Sequence, residues 1–294
     1  MYYYSLNEYL KNTFGEKVYK ISLDGGMTCP NRDGKIDTRG CIFCSRGGSG
    51  EFSASRNLSI TQQIEEAKGR IRKKSDCKKF IAYFQPFTNT YASVEYLRRI
   101  FTEAIENPEI VALSVATRPD CLPDDTIALL SELNKIKPVW VELGLQTIHE
   151  NTAEYIRRGY KLSVYDNAVK RLHNENISVI THIIIGLPNE TEDMIVESAK
   201  YAGEHSDGIK LQLLHILKDT DLCDEYEKGN VTVLTLEQYA DILIKCLKVI
   251  PKTTVIHRLT GDGDKKILVA PMWSADKKRV LNFINKAIKA TPEE

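Results

Sequence analysis

The 294-residue chain alternates short apolar runs with amphipathic stretches from residue 18 to residue 214, and this alternation limits the fold more than any other feature. Residues 18–23, 80–85, 110–116, 139–145, 177–185 and 208–214 read as strands, rich in Val, Ile and Leu. Helical periodicity fills most of the gaps between them, at 60–73, 94–106, 124–135, 164–174 and 191–201. Strands that alternate with helices build a parallel sheet with right-handed crossovers. Six such units predict an α/β fold, a partial (β/α)6 TIM-like barrel that stops short of the eight units of a closed one. A helix over 5–14 precedes the barrel, with Ser5 as N-cap, Glu8 three residues on and Gly15 as its stop. After it come a short helix within 218–229, a helix over 235–250, an edge strand over 254–259, a turn at Gly261-Asp-Gly-Asp264 and a helix over 276–289. The expected organisation is a barrel unit, 1–217, carrying the N-terminal helix and the loop after the first strand, and a mostly helical extension, 218–294, packed on it.

In such barrels the reacting groups lie at the C-terminal ends of the strands. The loop after the first strand carries Cys29, Cys41 and Cys44, with eleven residues between the first two and two between the last two. Three sulfurs without an evident fourth ligand suit a [4Fe–4S] cluster with one iron open to a non-protein ligand. A zinc site completed by a distant residue, with His149 the nearest His, and three free thiols are the other readings. Further strand ends carry Gln85-Pro-Phe-Thr-Asn-Thr90, Thr117-Arg-Pro-Asp120, Gln146-Thr147 and Gly186-Leu-Pro-Asn-Glu190. Each alone reads as a turn or strand exit; together on one rim they make a site.

Charge excludes little. Lys plus Arg and Asp plus Glu are 40 each, so no global field points to nucleic acid or membrane, although a local basic face is allowed. The last helix offers one, with Lys277, Lys278, Arg279, Lys286 and Lys289, equally readable as a solvated face. The N-terminus lacks a signal-peptide pattern and no apolar run reaches membrane-spanning length. Seven cysteines, an odd number, suit the reducing cytoplasm. Cys77, Cys223 and Cys246 read as packing residues, while Cys121, beside the rim, is set apart from that reading.

With the cysteine loop at the mouth of a βα barrel, the sequence resembles the radical S-adenosylmethionine (SAM) enzymes. It is most similar to the YtqA/YhcC-type family, in the group that includes the Elongator catalytic subunit, MiaB and HemN. The matching motifs run from Gly25-Gly-Met-Thr-Cys-Pro-Asn31 to His215, and the wide gap between Cys29 and Cys41 is similar to the expanded form of this family. The resemblance implies that Cys29, Cys41 and Cys44 bind three irons of a [4Fe–4S] cluster and that SAM chelates the fourth. It places Phe43 at the adenine and Gln146, Arg158, His182 and Leu214 along the cofactor. Gln85 and Thr88 stand where most of these enzymes carry Gly-Gly-Glu, and Thr117 follows Ala116 where the HemN-like group carries an acid; these three complete the expected cofactor contacts. The resemblance further implies an electron donor of flavodoxin or ferredoxin type, and tRNA as substrate, with maturation of the 5-substituent of the wobble uridine (U34) as the specific expectation. Arg118, Arg157 and the last helix are the expected phosphate contacts, and Tyr91 and Trp273 either stack on a base or are packed. The alternatives are a radical enzyme acting on a small molecule or tetrapyrrole, like HemN, and a non-catalytic metal-binding module.

Overall fold

The structure, a computed structural model, describes residues 2–48, 50 and 53–292. Helix α1 (Leu6–Phe14) starts where the Ser5 hydroxyl accepts the N–H of Glu8 and stops at Gly15 in the left-handed conformation. Glu8 does not close a capping box, because its carboxylate accepts the Tyr2 hydroxyl at 2.8 Å. The barrel follows as β1 (Val18–Leu23), α2 (Ile60–Arg72), β2 (Lys79–Phe84), α3 (Val94–Glu106), β3 (Ile110–Thr117), α4 (Asp124–Asn134), β4 (Val139–Gln146), α5 (Glu150–Tyr155), α6 (Leu162–Asn174), β5 (Ser178–Ile185), α7 (Glu192–His205) and β6 (Gly208–Leu213). The remaining chain forms β7 (Ile216–Leu217), α8 (Asp221–Glu227), α9 (Leu236–Val249), β8 (Val255–Arg258), β9 (Leu268–Ala270) and α10 (Lys277–Ala290).

The sheet runs β1-β2-β3-β4-β5-β6-β8, every neighbour parallel, and curls into a half-barrel. The expected edge strand is its seventh member. Its outer edge is covered by the N-terminal segment, where Ile256 donates its N–H to the Tyr4 carbonyl at 2.7 Å. Three details depart from the sequence reading. Helix α5 and the antiparallel β7–β9 ribbon are too short to show a period, and the turn expected at 261–264 falls at 265–267 instead. There the Asp264 carbonyl accepts the N–H groups of Ile267 and Leu268.

Strand alternation gives the sheet two faces with different chemistry. The outward positions, among them Leu23, Phe84, Val115, Leu143, Ile183 and Leu211, are buried beneath the surrounding helices. Inward positions form layers. At the N-terminal end Val18, Ile81, Ala112, Trp140 and Ile180 close the barrel with Leu10 of α1. Two residues further along each of these strands the layer is polar: Lys20, Tyr83, Ser114, Glu142 and His182. Lys210 of β6 pairs in register with His182 on one side and Arg258 of β8 on the other. All seven strands thus place a polar side chain at one level, between the apolar plug and the C-terminal rim.

Candidate active site

A cavity of about 410 Å³ opens at the C-terminal ends of the strands, within the size range of small-molecule sites. Every residue expected from sequence to bind cluster or cofactor lines it: Cys29, Cys41, Cys44, Phe43, Gln85, Thr88, Thr117, Gln146, Arg158, His182 and Leu214. Residues of the polar layer, including Tyr83, Glu142, Lys210 and Arg258, form its floor.

The cysteine loop is held by its own polar side chains. Asn31 donates to the Arg157 carbonyl at 2.8 Å and reaches the Cys41 sulfur at 3.5 Å, and Arg32 donates to the carbonyls of Cys44 and Ser45 at 2.8 and 2.6 Å. Among the described residues no three His, Cys, Asp or Glu side chains converge tightly enough to hold a single metal ion. Cys29, Cys41 and Cys44 nevertheless line one cavity together, and cysteine thiolates are the donor set of a four-iron cluster. Burial, and next the neighbouring Cys44, push the Cys41 thiol up to about 12. The cofactor-facing wall fits as well. Gln146 ends β4 at a bulge with φ 69°, and its buried Oε1 has no partner; the His215 Nε2 is likewise unpartnered in the same cavity. Gly144 leaves room for the Gln146 side chain, since a Cβ there would stand 2.8 Å from its Nε2. Orphaned buried acceptors and donors around one cavity are what a bound polar ligand satisfies.

The polar floor is what sequence reasoning missed. Glu142 is fully buried and saturated: Lys20, Lys210, the Ser114 hydroxyl at 2.7 Å and His182 Nε2 at 2.7 Å all donate to its two oxygens. Burial opposes its charge, but Lys20, Lys210 and His182 outweigh that and hold the carboxyl well below the usual range. Burial and Lys210 bring His182 down to about 4, so its ring is neutral at pH 7. Facing an ionised carboxylate, that ring keeps its proton on Nε2 and leaves Nδ1 as an acceptor. A signal existed: Lys20, Glu142 and Lys210 are charges inside apolar strands, at inward parity.

Several expected contacts have other duties here. Arg158, 2% exposed, donates Nε to the Tyr160 carbonyl at 2.9 Å and Nη1 to the Thr147 and Leu145 carbonyls at 2.6 and 3.3 Å, with Glu150 at 3.4 Å from Nη2. It braces the α5 turn. Arg158→Ala is expected to cost about 2–3 kcal/mol in urea denaturation, chiefly from the Thr147 carbonyl left without its donor, since the Leu145 carbonyl keeps the Thr147 N–H; a loss below about 0.5 kcal/mol would remove the bracing role. The Thr117 hydroxyl pairs with that of Thr90. Arg118 and Arg157, expected at phosphates, are bound to Asp120 at 2.8 Å and Asp221 at 2.6 Å. Trp273 donates to the Leu234 carbonyl at 3.0 Å and leans on Tyr239, so it is packed; the Tyr91 ring lies beneath the Lys35 ammonium at 5.3 Å. Cys121 is buried and does not line the cavity, and Cys77, Cys223 and Cys246 are buried too.

No helix among the described residues is long and apolar enough to cross a membrane. Comparison with known proteins gives the family. The signature described as the radical SAM superfamily matches residues 38–202, and that of the radical SAM C-terminal domain matches 206–290. YtqA of Bacillus subtilis (strain 168) is 45% identical over 288 residues, 98% of this chain and 89% of its own. A tRNA uridine(34) acetyltransferase of Methanocaldococcus jannaschii is 24% identical over 163 residues, 54% of this chain but 30% of its own. The solved structure of Elp3 from Methanocaldococcus infernus superposes with a TM-score of 0.65 at 16% identity, covering 92% of this chain and 63% of that one, a likeness of fold. Matched by the superfamily signature over more than half its length, and by YtqA almost end to end, the chain belongs to the radical SAM superfamily, in its YtqA/YhcC-type family, and is an enzyme of that superfamily.

Proposed function

We propose that the chain is a radical SAM enzyme that matures the 5-substituent of the wobble uridine, U34, in tRNA. The observation that carries the radical reading is the single cavity into which the three cysteines and the expected cofactor contacts open. The substrate reading is supported by the partial match to a tRNA uridine(34) acetyltransferase. Cys29, Cys41 and Cys44 would hold a [4Fe–4S] cluster, and SAM would lie between it and the β4–β6 ends. Cluster and SAM, when bound, supply a 5′-deoxyadenosyl radical by reductive cleavage, the electron coming from a flavodoxin- or ferredoxin-type donor. The chain's residues bind, orient and exclude water. Phe43, with Ile156 and Leu214, gives an apolar wall for a purine face. The unpartnered Gln146 Oε1 accepts from an ammonium or amine, and His182 Nδ1 from a hydroxyl or N–H. Neither group needs to change protonation to do so.

A small-molecule substrate is the second reading, favoured by the pairing of Arg118 and Arg157, the expected phosphate contacts, with carboxylates. The two separate in one assay. Reduced, cluster-loaded protein is incubated with SAM and bulk tRNA lacking mature wobble uridines, and the nucleosides are analysed by mass spectrometry. A mass change at position 34 is expected. Cofactor cleavage unaffected by tRNA, with no nucleoside altered, moves the enzyme to small molecules.

A further inference from the structure

The floor of the cavity carries more positive than negative charge. Lys210 and Arg258 line it, Lys20 joins them at Glu142 from the β1 side, and among the described residues the carboxylates within 4 Å of the three are Glu142 and Asp262. Glu142 serves both lysines, and Asp262 lies 3.9 Å from Arg258 while Lys277 holds it at 2.6 Å. The other titratable neighbours add no negative charge: His182 is neutral, the Tyr83 hydroxyl accepts from Lys210 at 3.1 Å, and burial holds His257, beneath the layer, well below its ordinary range. At the rim, Arg118, Arg157 and Arg158 each have a carboxylate of their own, and Arg32 donates to the Cys44 and Ser45 carbonyls.

Geometry turns this surplus toward a ligand. Lys210 and Arg258 sit opposite each other on adjacent parallel strands, on the inward face. The Lys210 ammonium has three N–H groups and two protein partners, Glu142 and Tyr83, which leaves one for the cavity it lines. A second cavity, of about 480 Å³, enters through the gap between β1 and β8 and is lined by Lys20, Tyr83, Lys210 and Arg258 as well. Lys210 is buried and shares Glu142 with Lys20, while Arg258, its side chain about a third exposed, reaches Asp262 only at 3.9 Å, so a ligand anion adds charge pairing to both.

We propose that Lys210 and Arg258 form a seat for an anionic oxygen group of the substrate, a carboxylate or a phosphate, with Glu142 and Tyr83 as the residues that position the Lys210 ammonium. This rests on the reading of the cavity as the active site. Burial, against the pull of Glu142, brings Lys210 down to about 7, and a neighbouring anion draws it back toward full charge.

The test uses the cluster-loaded full chain at fixed sodium and ionic strength, with chloride replaced stepwise by acetate or by inorganic phosphate. Thermal midpoints give the anion affinity, and equilibrium dialysis gives SAM affinity in the same samples. Wild type is expected to be stabilised by at least one anion over chloride. Lys210→Met and Arg258→Met are expected to weaken that response about tenfold, the loss of one charge-assisted contact. Each variant leaves Glu142 at least three donors, Lys20, Ser114 and His182, so both are expected to fold and to bind SAM as wild type does. A response to phosphate alone identifies a phosphoryl group, and to acetate alone a carboxyl group. No anion response in wild type, or an undiminished one in both variants, overturns the seat. So does a parallel loss of SAM affinity, because the anion is then the cofactor's own carboxylate. 5′-Deoxyadenosine from the same preparation separates the failures: its presence without an anion response sinks the seat and leaves the radical reading standing.

Discussion

Glu142→Leu is expected to destabilise the protein by about 3–5 kcal/mol, the scale for breaking a buried ion pair by removing one partner. The carboxylate is fully buried and takes four donors, so its loss strands Lys20 and Lys210 as uncompensated cations inside the barrel. Urea denaturation of the protein without cluster at pH 7.5 measures the effect. Adding Lys210→Met to Glu142→Leu is expected to recover part of the loss, since the double variant buries one stranded cation rather than two. A single variant within 1 kcal/mol of wild type, on the same scale, would mean the layer is hydrated and its pairing weak. The pH dependence has a definite sign. The folded Glu142 carboxyl is depressed, so its contribution is present above the unfolded value of about 4.3 and is lost as pH falls below it. Lys210 is lowered to about 7, so from there to its unfolded value of about 10.4 the unfolded chain binds more protons and stability rises with pH. Lys210→Met is expected to flatten that rise; an unchanged slope would place the titration elsewhere.

Cys44→Ala is expected to abolish the cluster and lower cofactor cleavage by at least about a thousandfold, to the level of reductant alone, the scale seen when a whole catalytic group is removed. Cys29→Ala and Cys41→Ala are expected to match it. Cys121→Ala is expected to keep the cluster's visible absorbance and iron content, because that thiol is buried off the cavity with Asp120 as its neighbour. Iron retained at wild-type stoichiometry in Cys44→Ala, with cleavage intact, would take the cluster out of this loop.

Most of the fold was legible because the signals were local. Six strands and five barrel helices carry their own period, and Ser5 and Gly15 mark a helix start and stop by backbone chemistry alone. The elements that escaped notice, α5 and the β7–β9 ribbon, are shorter than any period. At the site, the cysteine loop and the polar strand ends could be read because they interrupt apolar runs at a known rim. What could not be read were pairings across the barrel. Lys20 and Glu142 are 122 residues apart, and Tyr83 and Lys210 are 127 apart, so only the closed sheet brings them together. The same distance in sequence hid the fate of Arg157, whose apparent freedom at the rim ends at Asp221 on α8.

The most direct test of the radical chemistry is anaerobic. The protein is reconstituted with iron and sulfide, reduced with dithionite, and examined by electron paramagnetic resonance before and after SAM, followed by assay of 5′-deoxyadenosine. A reduced [4Fe–4S] signal that shifts when SAM is added is expected, with 5′-deoxyadenosine that forms in wild type and is absent from Cys44→Ala. A signal indifferent to SAM, or a protein that takes up zinc in place of iron and leaves SAM intact, would contradict it.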